Sequence, residues 1–400
     1  MKSKIAAMRL LILFCILPTA MFSQIFMQGN LIEAGVHTCG SFGSDTAPPP
    51  GFHPTQTCLG LVFDHYYDGW DSGTPPFMGD FFVPGSPEEG WGIEFNVGAT
   101  SYNFNNFGLN GYFDVGMISL TDLSTPELQK CEWNGKAISG TYSAAVNQIV
   151  SFGPNDYFIK IDVEIINTCD FLLQSFEYIR NIDPDNEVDW TDDYTTKNYV
   201  LKQPGSVGNP DTAMICARGL IYDIPIYLIA LDSRVRCSAE GFSNRDPDDI
   251  YDSPLEYSIT SPSIMDEAIA IAFRFGDLEP DDTISFSYLY AFDDKVLMND
   301  GIFDYLTQSK EQKMSTGFLN VFPNPAGDNI KLNFRTEQCV SAGIEIIDVF
   351  GKTVYRESEQ KFAPGSHEME INTSALKGGV YFVKMEGNNI SLSKKIVKLP

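Results

Sequence analysis

The sequence predicts an all-β protein, a large antiparallel β-sandwich cargo domain followed by a small immunoglobulin-like β-sandwich. Three observations carry this. Apolar and polar residues alternate with a period of two in several runs, clearest in DYFIKIDVEIIN (156–167). Aromatics make up 13% of the 400 residues, and clusters of Gly, Pro, Asn and Asp punctuate the runs. Helical periodicity shows only in 294–312, where a short helix fits. The organisation expected is an export signal at 1–23, the cargo at 24–312, a linker at 313–317 and a C-terminal module at 318–400.

Lys2, Lys4 and Arg9 precede an apolar run from Leu10 to Leu17 that Pro18 breaks, the layout of a signal peptide, with cleavage expected after Ser23. The run is too short to span a bilayer, and the longest later candidate, 220–231, is interrupted by Asp223 and Pro225. No transmembrane segment is expected once the signal is removed.

Charge is unevenly placed. Residues 318–400 hold 10 Lys/Arg and 9 Asp/Glu, whereas 24–317 hold 14 and 44. Such a surface repels a phosphate backbone, so no nucleic-acid partner is expected. The carboxylates favour dispersion outside the cell, and acid-rich loops are also where hard cations bind. Of eight cysteines, Cys15 lies in the signal and Cys339 in the C-terminal module. The other six, in an exported chain without C-x-x-C, predict disulfides, and proximity suggests Cys39–Cys58, Cys131–Cys169 and Cys216–Cys237.

In order, the proline-rich stretch GSDTAPPPGFHPTQTC makes 24–60 an irregular loop stapled by Cys39 and Cys58. LGLVFDHYYDGWDSG follows as a short strand entering a turn of Asp and aromatic residues, and 80–97 reads as two strands around Pro-Gly-Ser-Pro. In 156–167, Tyr157, Ile159, Ile161, Val163 and Ile165 share one face; 171–180 follows after Asn-Thr-Cys-Asp, so the two are expected to form a hairpin. Strands continue at 219–232, 268–275 and 282–292. The strand, Asn-Thr turn and second strand entering a polar loop resemble the carbohydrate-associated supersandwich fold, which implies glycans as ligands.

The densest polar stretch is Asp183, Asp185, Glu187, Asp189 and Asp193, echoed by Asp246, Asp248, Asp249 and Asp252. In both, proline between carboxylates presets their separation, and Ca²⁺ takes oxygens from such loops. It is no EF-hand, since Val188 and Tyr194 stand where that loop needs glycine and glutamate. The blander reading is a pair of solvated turns capped by Asp. A second constellation, Asp64, His65, Tyr67, Asp68, Trp70 and Asp71 with Arg180, pairs aromatic faces with hydrogen-bonding groups, as sugar recognition requires; the alternative is that the rings pack the sandwich edge. His37, His53 and His65 would be the zinc ligands, though single structural histidines are commoner.

No Gly-x-Ser-x-Gly, His-Glu-x-x-His or phosphate-binding Gly-Lys pattern is present. Glycoside hydrolysis needs only two carboxylates, for which Glu88, Glu89 and Glu94 are the first candidates. The leading expectation is therefore a binding or adhesion module for a glycan or surface ligand. The alternative is a glycan-degrading hydrolase or lyase.

Seven strand-like runs fill 319–398. Within them Pro323-Asn324-Pro325, the Asp348-Val349-Phe350-Gly351-Lys352 turn, Leu376-Lys377-Gly378-Gly379-Val380-Tyr381 and Lys394-Lys395-Ile396-Val397-Lys398 resemble the C-terminal sorting domain of the type IX secretion system of Bacteroidota. The resemblance implies passage to the periplasm and then across the outer membrane, with the type IX machinery as partner of 318–400. It also implies removal of the domain, the cargo being secreted or attached to the outer-membrane surface.

Overall fold

The structure, a computed structural model, describes residues 24–297 and 319–398 apart from 54–57, 71–78, 83–88, 207–208, 210, 242, 337–339, 349–351, 364 and 388–389. The expected signal, linker, Cys15, Cys339, Glu88 and Asp71 fall outside the described residues. The chain divides into two compact units, Met1–Lys295 and Val296–Pro400.

In the first unit the strands are β1 (Ile25–Gln28), β2 (Ile32–Val36), β3 (Leu61–Phe63), β4 (Glu89–Val97), β5 (Thr100–Phe107), β6 (Tyr112–Phe113), β7 (Val115–Asp122), β8 (Gln129–Ser139) and β9 (Tyr142–Phe152). They continue as β10 (Phe158–Asn167), β11 (Leu173–Ile182), β12 (Thr196–Lys202), β13 (Thr212–Gly219), β14 (Pro225–Leu231), β15 (Val235–Glu240), β16 (Ser263–Met265), β17 (Ala268–Leu278) and β18 (Thr283–Ala291). Two short helices intervene, α1 (Val188–Thr191) and α2 (Pro247–Asp252).

These strands build a nine-stranded sheet, β16-β12-β13-β14-β18-β10-β9-β8-β7, a six-stranded sheet, β15-β17-β11-β4-β5-β6, and a small sheet β1-β2-β3. Their apolar faces share one core. Trp91, Phe95, Tyr178 and Phe273 enter it from the six-stranded sheet, and Trp133, Ile161, Leu228 and Tyr288 from the nine-stranded one. Each such side chain, once enclosed, contributes about 1.5–3 kcal/mol. In β10 the residues Ile159, Ile161, Val163 and Ile165 all point into this core, the face the alternation assigned.

The expected hairpin of 156–167 with 171–180 does not form. β10 pairs with β9 and β18, whereas β11 pairs with β4 and β17 in the other sheet. Asn167-Thr168-Cys169-Asp170 carries the chain between layers, and Asn167 fastens it by donating from Nδ2 to the carbonyls of Phe171 (2.7 Å) and Leu278 (2.9 Å). Two amphipathic strands joined this tightly can bury their apolar faces against each other instead of side by side. Likewise 219–232 is a turn followed by β14, because Asp223 takes a left-handed φ of 59° and Gly219 N–H bonds Ile224 C=O at 3.0 Å. Residues 24–60 are not all loop, since they contain β1 and β2.

None of the expected disulfides is formed; Cys39, Cys58, Cys131, Cys169, Cys216 and Cys237 are thiols. Sequence proximity misleads here because it says nothing about which way each side chain faces. Cys237 on β15 faces the core, whereas on β13 Ala213, Ile215 and Ala217 take the inner face and Cys216 the outer one. The sulfurs engage local groups: Cys39 Sγ lies 3.0 Å from Ser41 Oγ, Cys169 Sγ 3.1 Å from Asn167 Oδ1, and Cys237 Sγ 3.3 Å from Gln203 Oε1.

The second unit has strands β19 (Leu319–Phe322), β20 (Asn329–Thr336), β21 (Val340–Asp348), β22 (Thr353–Phe362), β23 (Gly365–Asn372), β24 (Gly379–Gly387) and β25 (Ile390–Lys398). They form sheets β19-β20-β23 and β22-β21-β24-β25 around a core containing Ile330, Leu332, Phe334, Ile344, Ile346 and Val383.

Candidate functional site

The turn after β3 gathers Asp64, His65, Tyr67, Asp68 and Trp70 within seven residues. Asp64 anchors it: its Oδ2 accepts Gly69 N–H at 2.9 Å, and its C=O accepts Tyr67 N–H at 3.3 Å. The backbone is left-handed at Tyr67 (φ 59°), Gly69 (82°) and Trp70 (67°). Two bulky residues hold a conformation that normally costs about 1–3 kcal/mol each, a signature more frequent at binding sites than elsewhere. The strained turn leaves Tyr66 41% and Tyr67 37% exposed.

The surroundings fix each ring. Tyr67 OH donates to Asp293, and Lys295 Nζ stands 3.4 Å from the Tyr67 ring centroid while pairing with Asp293 at 3.5 Å. Trp70 donates from Nε1 to Asn30 C=O at 3.1 Å and stacks on His53 with centroids 4.8 Å apart. His65 lies half-buried, its Nδ1 enclosed without a partner; burial holds its pKa below the usual histidine value, against the pull of Asp293 and Asp294. One further step inward, Arg218 binds Asp294, Asp223 (3.1 Å) and the hydroxyl of Tyr227 (2.9 Å). The site thus offers the exposed Tyr66 ring and, at Tyr67, the edge of a ring whose face carries the Lys295 ammonium and whose hydroxyl is held by Asp293. Asp293, Asp294, Lys295 and Arg218 escaped sequence reasoning. Their one signal was the charge triplet Asp293-Asp294-Lys295 closing the apolar run of β18.

Arg180 is not part of this site. It is enclosed between the sheets, 1% exposed, and donates to Glu89 and to Tyr290 OH (2.5 Å). Glu89, expected as a catalytic acid, is the partner that makes this burial tolerable, because a lone enclosed guanidinium would be prohibitive. Burial and the pair together remove both residues from any surface chemistry.

The Asp183–Asp193 loop does not close on one point. Glu187 spends its carboxylate on the N–H groups of Ile221 (2.9 Å), Tyr222 (2.8 Å) and Ile224 (3.2 Å). It is pressed so close to Gly219 that a Cβ there would lie 2.1 Å from it. Asp189 accepts Asp80 N–H at 3.0 Å, and Asp193 accepts Thr195 N–H at 2.9 Å. Asp185 is enclosed with Oδ2 lacking a donor; burial, then Asp183, Asp266, Asp80 and Asp189, push its carboxyl to about 9. Asp68 sits in the aromatic turn, half-buried.

In the second acidic loop Asp246 caps α2, its Oδ1 accepting Asp248 N–H at 3.0 Å. Asp248 (2.7 Å) and Asp252 (2.6 Å) both bind Arg274, and Asp249 is exposed. Glu94 accepts from Ser101 and from Asn103 Nδ2 (3.0 Å). The histidines do not meet: His37 pairs with Asp45 at 3.0 Å and His53 with Glu33 at 3.1 Å.

Residues 320–399 match the family model of the secretion system C-terminal sorting domain. That module marks the chain for type IX export, to be secreted or attached at the cell surface. Among the described residues no helix is long and apolar enough to cross a membrane. A comparison with curated proteins found no match. Among solved structures the chain is similar to a galactose mutarotase related enzyme from Lactobacillus acidophilus, with 8% identity, a TM-score of 0.34, and coverage of 68% of this chain and 97% of that one. It is also similar to an Escherichia coli K12 protein provisionally named an aldose 1-epimerase, with 10% identity, a TM-score of 0.29, and coverage of 68% and 99%. Overlays with such TM-scores are loose.

Proposed function

We propose that the chain is an exported binding module that takes up a glycan at the Asp64–Trp70 turn. The observation that carries this reading is the strained turn that holds Tyr66 and Tyr67 out in solvent beside Asp293 and Lys295. A sugar ring presents C–H groups on its faces and hydroxyls on its rim. Aromatic rings serve the faces, and a carboxylate and an ammonium serve the rim. Aromatic rings without a paired catalytic acid and base suit retention more than bond cleavage.

The test is a panel of immobilised polysaccharides, scored for retention and for released product. Wild type is expected to be retained without product. A Tyr66→Ala/Tyr67→Ala variant should lose at least 10-fold in affinity with unchanged far-UV circular dichroism. Retention that survives this variant, or no retention on any glycan, would overturn the reading. The export route is checked separately: deletion of 320–399 should leave the cargo inside the cell envelope.

A further inference from the structure

The side of the six-stranded sheet turned away from the core carries an arrangement that the glycan reading does not use. In β11, Phe176, Tyr178 and Ile182 face the core, so Glu177 and Ile179 face outward. Strand register places Asn103 of β5, Glu94 of β4, Glu177 of β11 and Arg274 of β17 side by side in one row across four strands. Glu94 and Glu177 are therefore direct cross-strand neighbours of like charge, a pairing that destabilises a sheet.

Helix α2 lies over this row. Ile250 and Tyr251 pack on Ile179, Ala270 and Ala272, which brings the capping Asp246 and the first-turn Asp248 down onto the glutamates. Carboxylate oxygens of Glu94, Asp246 and Asp248 all lie within 4.8 Å of one another. An independent feature points the same way. The side chain of Glu177 is 2% exposed; its Oε1 accepts from Arg274, its Oε2 is enclosed with no donor, and the Asp248 carboxylate is a neighbouring negative charge. A buried oxygen facing another anion requires either a proton or a cation between them. Two more enclosed acceptors on this face, Asn105 Oδ1 and Asn181 Oδ1, also lack donors.

Arg274 supplies one positive charge, and it reaches Glu177, Asp248 and Asp252. The other carboxyl oxygens of Glu94, Glu177, Asp246 and Asp248 make a group of oxygen ligands only. Hard cations with flexible coordination choose such groups, and the absence of His and Cys from it disfavours zinc. We propose that Glu94, Glu177, Asp246 and Asp248 form a calcium site that clamps α2 to the outer face of the six-stranded sheet.

The experiment is calorimetric titration of CaCl₂ into chelator-treated full-length protein, with thermal melts run alongside. One ion is expected, with a rise of several degrees in Tm that MgCl₂ does not match. Glu94→Gln/Asp246→Asn should weaken binding of that ion at least 100-fold, and Asp185→Asn should leave it unchanged. Because loss of the cap at Asp246 could unsettle α2, Glu177→Gln serves as the second variant and should weaken binding while keeping the apo melt at pH 6. Absence of calcium uptake by the folded protein would overturn the proposal. So would uptake that both carboxylate variants retain.

Discussion

Strand β11 sends Arg180 inward and Glu177 outward, and the fold treats these two buried charges in opposite ways. Arg180 is met by one carboxylate, by Tyr290 OH, and by the rings of Phe42 and Tyr290 with centroids 5.5 and 5.4 Å away. Glu89 in turn accepts from Tyr290 OH at 2.8 Å and from Phe42 N–H. Glu177 shares Arg274 with two other carboxylates and faces Glu94 and Asp248. Burial is nearly the same, and each group has one enclosed polar atom without a partner, but only the inner charge faces an equal charge of opposite sign. Balance of sign, more than depth, separates a structural ion pair from a place that wants a ligand.

The largest effect expected is at the inner pair. Arg180→Met strands Glu89 in the core and should cost about 3–5 kcal/mol in urea unfolding. Arg180→Met/Glu89→Met should cost less than the sum of its single variants. A loss within about 1 kcal/mol of zero for the single variant would show that the pair is not structural.

A third group extends the contrast. Asp80 and Asp185 are enclosed carboxyls raised to about 7 and about 9, chiefly by burial. Asp80 accepts the N–H groups of Gly60 (2.6 Å), Leu61 (3.0 Å) and Phe82 (2.9 Å), while Asp185 feels the charges of Asp183, Asp266, Asp80 and Asp189. Their folded pKa values lie above the unfolded ones, so the folded state holds the extra protons. Their contribution is full below about pH 4 and is lost as pH rises through 7 and then 9. Urea midpoints of chelated protein should fall between pH 5 and 9, and Asp185→Asn should flatten the alkaline half of that slope.

Smaller again is Glu177→Gln without calcium. It should be silent at pH 6, where the carboxyl is protonated, and stabilising by up to about 1 kcal/mol at pH 9, where like charges meet. At the bottom of the scale, Lys331→Ala removes an exposed pair with Glu368 (2.8 Å) and should leave the melt of the second unit unmoved.

The C-terminal module was legible strand by strand: ISLSKKIVK is β25, and the six runs before it became β19 to β24, though β22 runs on to Phe362. Its strands follow one another closely and are separated by clear turn residues, so local pattern suffices. In the cargo the same pattern revealed β10 and its inward face but not its partners, because alternation says which side of a strand is buried and nothing about which sheet it joins. The acid pairs of 246–252 were visible through their proline. Glu94 was singled out for another chemistry, and Glu177 was passed over, since in FLLQSFEYIR it looks like any outward residue. Only register sets the two glutamates side by side. Glu89 and Arg180 misled for the converse reason: charged residues are read as surface unless their partner, 91 positions away, is known.

The thiols carry a consequence of their own. Burial pushes Cys39 and Cys216 to about 11 and Cys131 to about 12, and Cys237 is raised as well. Only the thiolate reacts, and at pH 7 a pKa of 11 leaves roughly one in 10⁴ of it. Outside the cell, where oxidants are plentiful, the folded cargo keeps these sulfurs dormant, and unfolding wakes them. Crosslinks found in a secreted sample would therefore be a scar, a lasting record of the molecules that had once come undone.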